Sequence, residues 1–243
     1  NCLEAFRLRF LNPLESLDAT RQSARNAQSF FVLENLEPVW QFKFIESLEK
    51  EGFPVAERYF VATEKEAISR ARALGYPIVM KVSSSKIIHK SEVSGVITDV
   101  RNESEVKSNL RRLLHIRNCE EVILQEHIDG RELLIGIKDD PVFGHAIAVG
   151  SGGIFTEILK DVTFRICPVT KEDAKQMLEE LKIFPILKGF RNKPSINFKE
   201  VYNLIVKLSH LPIKYSKIKE LDINPLLVSD KKAIIADARI VLA

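Results

Sequence analysis

An apolar segment interrupted by one cation, Pro77-Ile78-Val79-Met80-Lys81-Val82, constrains this chain more than any other stretch. The residues before it spell a helix with both ends marked. Thr63-Glu64-Lys65-Glu66 reads as a capping box, in which the Thr63 hydroxyl accepts from the Glu66 amide and Glu66 reaches back. Ala67, Ile68, Ala71 and Leu74 follow at helical spacing, Gly75 ends the helix, and Pro77 blocks its continuation. Residues 78–82 then read as a buried strand, with Ile78, Met80 and Val82 on one face and Val79 and Lys81 on the other. A lysine in such a strand is costly unless an anion meets it; the alternative is a strand-end lysine whose ammonium reaches water. Next comes His89-Lys90-Ser91-Glu92-Val93-Ser94-Gly95-Val96, a loop that offers a histidine, a lysine and a glycine. That equipment suits phosphate handling, and of the five histidines His89 alone has such company. The plainer reading is a surface or hydrogen-bonding histidine, although a near-neutral pKa suits imidazole to nucleophilic work.

Helices and strands alternate through the rest of the chain. Helices are expected over 103–115 (Val106, Leu110, Leu113 and Leu114 on one face), after Thr170 with Asp173, and after Asn197 with Glu200. The last two carry Ala174, Met177, Leu178 and Leu181, and Val201, Leu204, Ile205 and Leu208. Strands are expected at 95–100, 121–126, 132–138, 145–149, 218–223 and 232–240. The class is mixed α/β (α+β). Residues 1–41 show neither period and read as an extension or linker, and a start at Asn1 reads as a piece of a longer polypeptide. The net charge of +3 is too small and too evenly spread for a nucleic-acid footprint. Cys2, Cys119 and Cys167 make neither a disulfide framework nor a CxxC metal site, which points to a reducing, cytoplasmic setting. No run approaches the ~18 apolar residues of a membrane span.

Three further groups of residues bear on chemistry. Gly150-Ser151-Gly152-Gly153 follows a strand, and glycines let amides turn toward a phosphate; the order fits neither a P-loop nor GxGxxG, and a simple glycine turn is the default. Glu126, His127 and Ile128, then Glu132 past Gly130-Arg131, offer backbone groups for an adenine and a carboxylate for ribose hydroxyls; an exposed hairpin is the alternative. Asn224 and Asp237, 13 residues apart at matching ends of two late strands, present an amide oxygen and a carboxylate. Such oxygen donors suit Mg²⁺, which takes one or two protein groups plus nucleotide phosphates. The alternative makes Asp222 and Asn224 turn residues before Pro225.

Taken in order, these segments resemble the β subunit, or β-type domain, of ADP-forming acetyl-CoA synthetase (NDP-forming acyl-CoA synthetase), a family with the ATP-grasp fold. The resemblance runs from about Phe42 to the end. It rests on Gly75-Tyr76-Pro77-Ile78-Val79-Met80-Lys81, on His89-Lys90-Ser91-Glu92-Val93, on Gly144 through Gly153, and on Ile154-Phe155-Thr156-Glu157 with Lys160-Asp161-Val162-Thr163-Phe164-Arg165. Leu187-Lys188-Gly189-Phe190-Arg191 and Leu221-Asp222-Ile223-Asn224-Pro225-Leu226 complete it.

It implies a smaller lobe over 42–128 and a larger one over 129–243, with the nucleotide held between them. Lys81 would meet nucleotide phosphates, Glu126 to Ile128 form the adenine hinge, Glu132 contact the nucleotide, and Gly150, Gly152 and Gly153 form the glycine loop. Asn224 and Asp237 would hold Mg²⁺. His89 would take a phosphoryl group from a phosphohistidine of the α subunit and pass it to ADP, so that acyl-CoA, ADP and phosphate yield acid, CoA and ATP. The expected partner is an α chain or α-type domains, in an α2β2 heterotetramer. Ser94 and Asn192 stand where the family usually has glycine, and residues 1–40 match nothing in it. Two other functions fit the same fold: another ATP-grasp carboxylate ligase, which needs no His89, and a non-catalytic regulatory module of a fused acyltransferase.

Overall fold

A computed structural model describes residues 40–84, 87, 90, 93–152 and 161–243. His89, Gly153 and most of the expected N-terminal extension therefore lie outside the described residues. The chain forms two compact units: residues 40–130 with Ile234–Ala236, and Arg131–Ala233 with Asp237–Ala243.

The first unit comprises α1 (Trp40–Lys50), β1 (Arg58–Val61), α2 (Glu64–Leu74), β2 (Ile78–Ser83), β3 (Val96–Val100), α3 (Glu103–Leu114) and β4 (Glu121–Glu126). Its antiparallel sheet has the order β1-β4-β2-β3, which places Lys81 opposite Ile123 on one side and Val96 on the other. The face expected to be apolar is buried: Ile78, Met80 and Val82 pack with Val122 and Leu124 against Ala67 and Ala71 of α2 and Val106, Leu110 and Leu113 of α3. Fully burying each large side chain contributes about 1.5–3 kcal/mol, which makes this the unit's main cohesion.

The caps hold with one difference. Thr63 accepts from the Glu66 amide at 3.3 Å, but only half of the expected box forms there, whereas Thr170 and Asp173 make both bonds. The shorter Asp173 orders fewer torsions than Glu66 would to reach back. Gly75 follows α2 at φ +80°, a conformation that favours glycine, and its amide donates to Ala71 O.

The second unit contains β5 (Arg131–Asp140), β6 (Gly144–Ser151), β7 (Val162–Ile166), α4 (Lys171–Glu179), α5 (Phe184–Leu187), α6 (Phe198–Ser209), α7 (Leu211–Lys214) and β8 (Ile218–Val228). After β9 (Ala233–Ile235) comes β10 (Ala238–Leu242), which closes the antiparallel order β10-β8-β5-β6-β7. The single strand expected at 232–240 is thus two, parted at Ala236 and Asp237. The strand expected to stop at Ile223 instead continues to Val228. The Asn-Pro pair looks like a terminator because proline cannot serve a ladder. However, the register jumps between Leu133↔Leu226 and Ile135↔Ile223, so β8 has one extra residue there, and a bulge tolerates Pro225. Ile135, Ile137, Leu221 and Ile223 share the face made apolar by this register. Among the described residues, no helix is long and apolar enough to cross a membrane.

Candidate functional site

In the first unit, Lys81 is buried at the centre of the sheet, and its ammonium donates to Ala236 O at 3.3 Å. Gln125, on the same face two residues beyond the lysine's ladder partner, donates to that same carbonyl at 3.2 Å. A buried ammonium is costly to desolvate, and an anion such as a nucleotide phosphate is the kind of group that offsets that cost. Gln125 is a residue the sequence reading passed over. Its signal is weak: a single polar side chain in the run Val122-Ile123-Leu124.

The alternative reading, a hairpin around Gly130, does not form, because β4 and β5 belong to different sheets. Glu126 instead ends β4, and His127-Ile128 continues from it as a half-buried, non-strand segment. Glu126 is clasped to Glu57 twice, its amide donating to Glu57 O (3.0 Å) and its carboxylate accepting from Glu57 N (2.9 Å). His127 Nε2 lies 3.2 Å from Asp129. With those side chains engaged, any base recognition falls to the main chain of 127–128.

In the second unit, the β8 bulge carries Asn224, and its amide donates to Asp237 O at 3.2 Å. The two residues are therefore opposed across the β8–β10 ladder. Asp237 is half-buried and its Oδ1 accepts from Ala238 N at 3.0 Å; Asn224 is exposed. The same face continues with Asp222 opposite Arg239, then Glu220 with Lys138 at 3.2 Å. Among the described residues no cluster of three His, Cys, Asp or Glu could hold a metal. A two-oxygen pair fits Mg²⁺ only as the protein's share of a shell completed by phosphates and water, which is how that ion accompanies nucleotides.

Asp222 was not expected to matter. Burial pushes its carboxyl up to about 7, with Arg239 pulling the other way and Asp237 and Glu220 adding to the rise. Its Oδ1 is buried without a hydrogen-bond partner among the described residues. Because this raised value lies above the ordinary ~4 of an unfolded chain, the stability it contributes is complete below about pH 4 and is lost as pH rises through about 7. Metal-free protein should therefore melt progressively lower between about pH 5 and pH 8, and Asp222→Asn should flatten that trend in calorimetry. An unaltered slope in the variant would contradict the assignment.

Gly150 and Gly152 are tightly enclosed by their neighbours. The Ser151 and Gly152 amides donate to Asp161 O (3.1 Å) and Glu132 O (2.8 Å), and Gly150 sits within the ladder between Leu134 and Val162. A Cβ on Gly150 would lie 2.8 Å from Val162 Cγ2, and one on Gly152 2.7 Å from Glu132 Cβ. Both therefore permit close backbone approach. Gly152→Ala is expected to destabilise the protein by about 1–3 kcal/mol and to lower Tm by roughly 5 °C. A melt equal to wild type would show that Glu132 yields. The Glu132 carboxylate itself belongs to an exposed residue.

A buried lysine and the opposed Asn224–Asp237 pair lie on antiparallel sheets of a chain whose residues 41–242 match the ATP-grasp domain family. Within it, the chain belongs to the family of the β subunits and β-type domains of ADP-forming acetate–CoA ligases. It is 41% identical over 205 residues to the β subunit of the ADP-forming acetate–CoA ligase I of Pyrococcus furiosus, covering 81% of this chain and 88% of that one. The ADP-forming acetate–CoA ligase II of Archaeoglobus fulgidus is 39% identical over 80% of this chain, which spans only 29% of that longer protein. Among solved structures, acetyl-coenzyme A synthetase 1 of Ca. Korarchaeum cryptofilum, complexed with coenzyme A and Ca-AMPCP, aligns at a TM-score of 0.77 and 32% identity, covering 92% of this chain and all of that one. Another structure of that synthetase, with coenzyme A and Mg-AMPPCP, has its phosphohistidine segment pointing towards the nucleotide binding site.

Proposed function

We infer that this chain is the nucleotide-binding, β-type component of an ADP-forming acyl-CoA (acetate–CoA) ligase. With an α-type partner it would convert acyl-CoA, ADP and phosphate to acid, CoA and ATP, reversibly. The observation that carries the reading is the Asn224–Asp237 pair, opposed across the β8–β10 ladder in a chain that spans 88% of a ligase β subunit.

Phosphoryl transfer needs alignment and charge neutralisation above all. In the scheme, His89 attacks the phosphorus of the partner's phosphohistidine, forming one N–P bond as the other breaks. An oxygen of the ADP β-phosphate then takes the group, and His89 returns to neutral imidazole. Lys81 neutralises nucleotide phosphates from the first unit. Asn224 and Asp237 hold Mg²⁺, which when bound draws charge from the phosphate oxygens. Main-chain groups of Glu126, His127 and Ile128 orient the base, and Glu132 offers a carboxylate to the ribose. The α-type partner supplies CoA binding and the primary phosphohistidine, and an α2β2 assembly is the arrangement favoured for a separate partner chain.

The test is reconstitution: this chain, a purified α-type partner, acetyl-CoA, phosphate, ADP and Mg²⁺, with ATP formation followed over time. ATP should appear only with both chains and the metal present. Nucleotide binding without turnover, under a range of acyl-CoA substrates, would instead favour a regulatory module.

A further inference from the structure

The segment Leu187-Lys188-Gly189-Phe190-Arg191 has no task in the scheme above. It leads into a tight turn closed by two backbone bonds, Phe190 N to Lys193 O (3.2 Å) and Lys193 N to Phe190 O (3.1 Å). Both central residues are left-handed, Arg191 at φ 45° and Asn192 at φ 65°. Glycine and asparagine suit that mirror-image turn, but arginine does not. Gly189 precedes it at φ 111°, where a Cβ would lie 3.0 Å from Lys193 O and 3.2 Å from Ser195 N. The base of the turn is strapped down by Ile196 N to Leu187 O (3.0 Å) and by Arg131 Nη2 to Pro194 O (2.9 Å). Just upstream, the buried Asp161 carboxylate accepts from the amides of Lys182 (2.7 Å) and Ile183 (3.0 Å). Thus a strained turn is rigidly mounted at the sheet end that also bears Glu132 and Ser151-Gly152.

It displays an unusual combination. Phe190 is 54% exposed, and the Arg191 guanidinium lies 5.2 Å from its ring centroid. From Leu181 to Phe198 the chain has four cations (Lys182, Lys188, Arg191 and Lys193) and no carboxylate. Among the described residues, Lys188, Arg191 and Lys193 form no ion pair. Solvated cations alone are ordinary. A strained backbone that holds a bare aromatic ring among them is not, since strain of this kind persists where the surroundings enforce it and clusters at ligand clamps. A ring for contact area beside a guanidinium fork matches a phosphate carried on a polypeptide.

We propose that the Phe190–Lys193 turn is the docking point for the phosphorylated histidine segment of the α-type partner. The proposal rests on the ligase reading above. A phosphorylated side chain brings between one and two negative charges at neutral pH, by analogy with other phosphoresidues, and these meet the unpaired cations. The nucleotide's own phosphates are left to Lys81 and the metal pair.

The test uses the full chain and a purified α-type partner, phosphorylated or not. Arg191→Gln and Phe190→Ser should each weaken binding of the phosphorylated partner by about tenfold and leave ADP affinity unchanged. Arg191→Gln should also reduce the salt dependence. Asn192→Gly, which keeps the turn and every charge, should bind as wild type. Lys193→Gln provides a further charge variant whose backbone bonds persist. Wild-type binding by Arg191→Gln and Lys193→Gln overturns the proposal, as does equal weakening for both forms of the partner. If phosphorylated partner docks in this manner but no ATP forms from ADP, the docking stands and the ligase reading falls.

Discussion

Replacing His89 by alanine should abolish ATP formation in the reconstituted system, by about 10³-fold or more, while ADP binding stays within about twofold. The expectation follows from covalent relay: without an imidazole there is no acceptor for the phosphoryl group, and a neighbouring water would merely hydrolyse the partner's phosphohistidine. The fold should tolerate the change. The described ends of this loop are fixed by main-chain bonds that do not involve the histidine: Gly95 N to Lys90 O at 2.7 Å and Val82 N to Gly95 O at 2.8 Å. Gly95 cannot carry a side chain there, since a Cβ would stand 2.5 Å from Val82 Cγ2. Ser94, where the family usually has glycine, adopts φ 52°, so the departure leaves a left-handed residue in place at a cost of about 1–2 kcal/mol. Phosphorylation of the wild-type chain by the partner, followed with labelled phosphate, should disappear in the variant. Unchanged turnover would remove the relay and favour a ligase that works through an acyl phosphate alone.

Lys81→Met should weaken ADP binding by about 100-fold and reduce the transfer rate further, with little change in Tm. Methionine keeps most of the volume and deletes the charge. Ala236 O keeps its bond from Gln125, so the substitution leaves no orphaned carbonyl, and a buried charge is removed at the same time. Calorimetric titration with ADP and a thermal melt decide the matter together. Unaltered ADP affinity would identify a lysine that reaches solvent past the strand end, while a large drop in Tm with intact affinity would mark a purely structural cation.

Much of the local architecture was legible because its signals are local. The 121–126 strand and the 103–115 helix are read within a residue or so by period and cap, and the helices after Thr170 and Asn197 start where their caps place them. β1 was missed because Arg58-Tyr59-Phe60-Val61 is short and only Val61 is buried, leaving no alternation to detect. The hairpin alternative at Gly130 failed for a topological reason: β4 has both edges taken by β1 and β2, and β5 by β6 and β8. The close packing at Gly150 and Gly152 was not legible because a glycine required for close packing and one required for an exposed amide look alike in sequence.

What the chain's order of residues determined by itself was the set of elements, the buried face of β2 and the residue types on offer, since helical and strand periods and caps depend on neighbours within a few positions. Only the tertiary structure decided which polar groups meet. Asn224 faces Asp237 because the β8–β10 register that pairs Ile223 with Ala238 runs on by one residue, Asp222 is forced against Arg239 and pushed toward neutrality by burial, and Lys81 reaches a carbonyl 155 residues away. Register and burial are properties of the whole packed sheet. No spacing within a single segment encodes them.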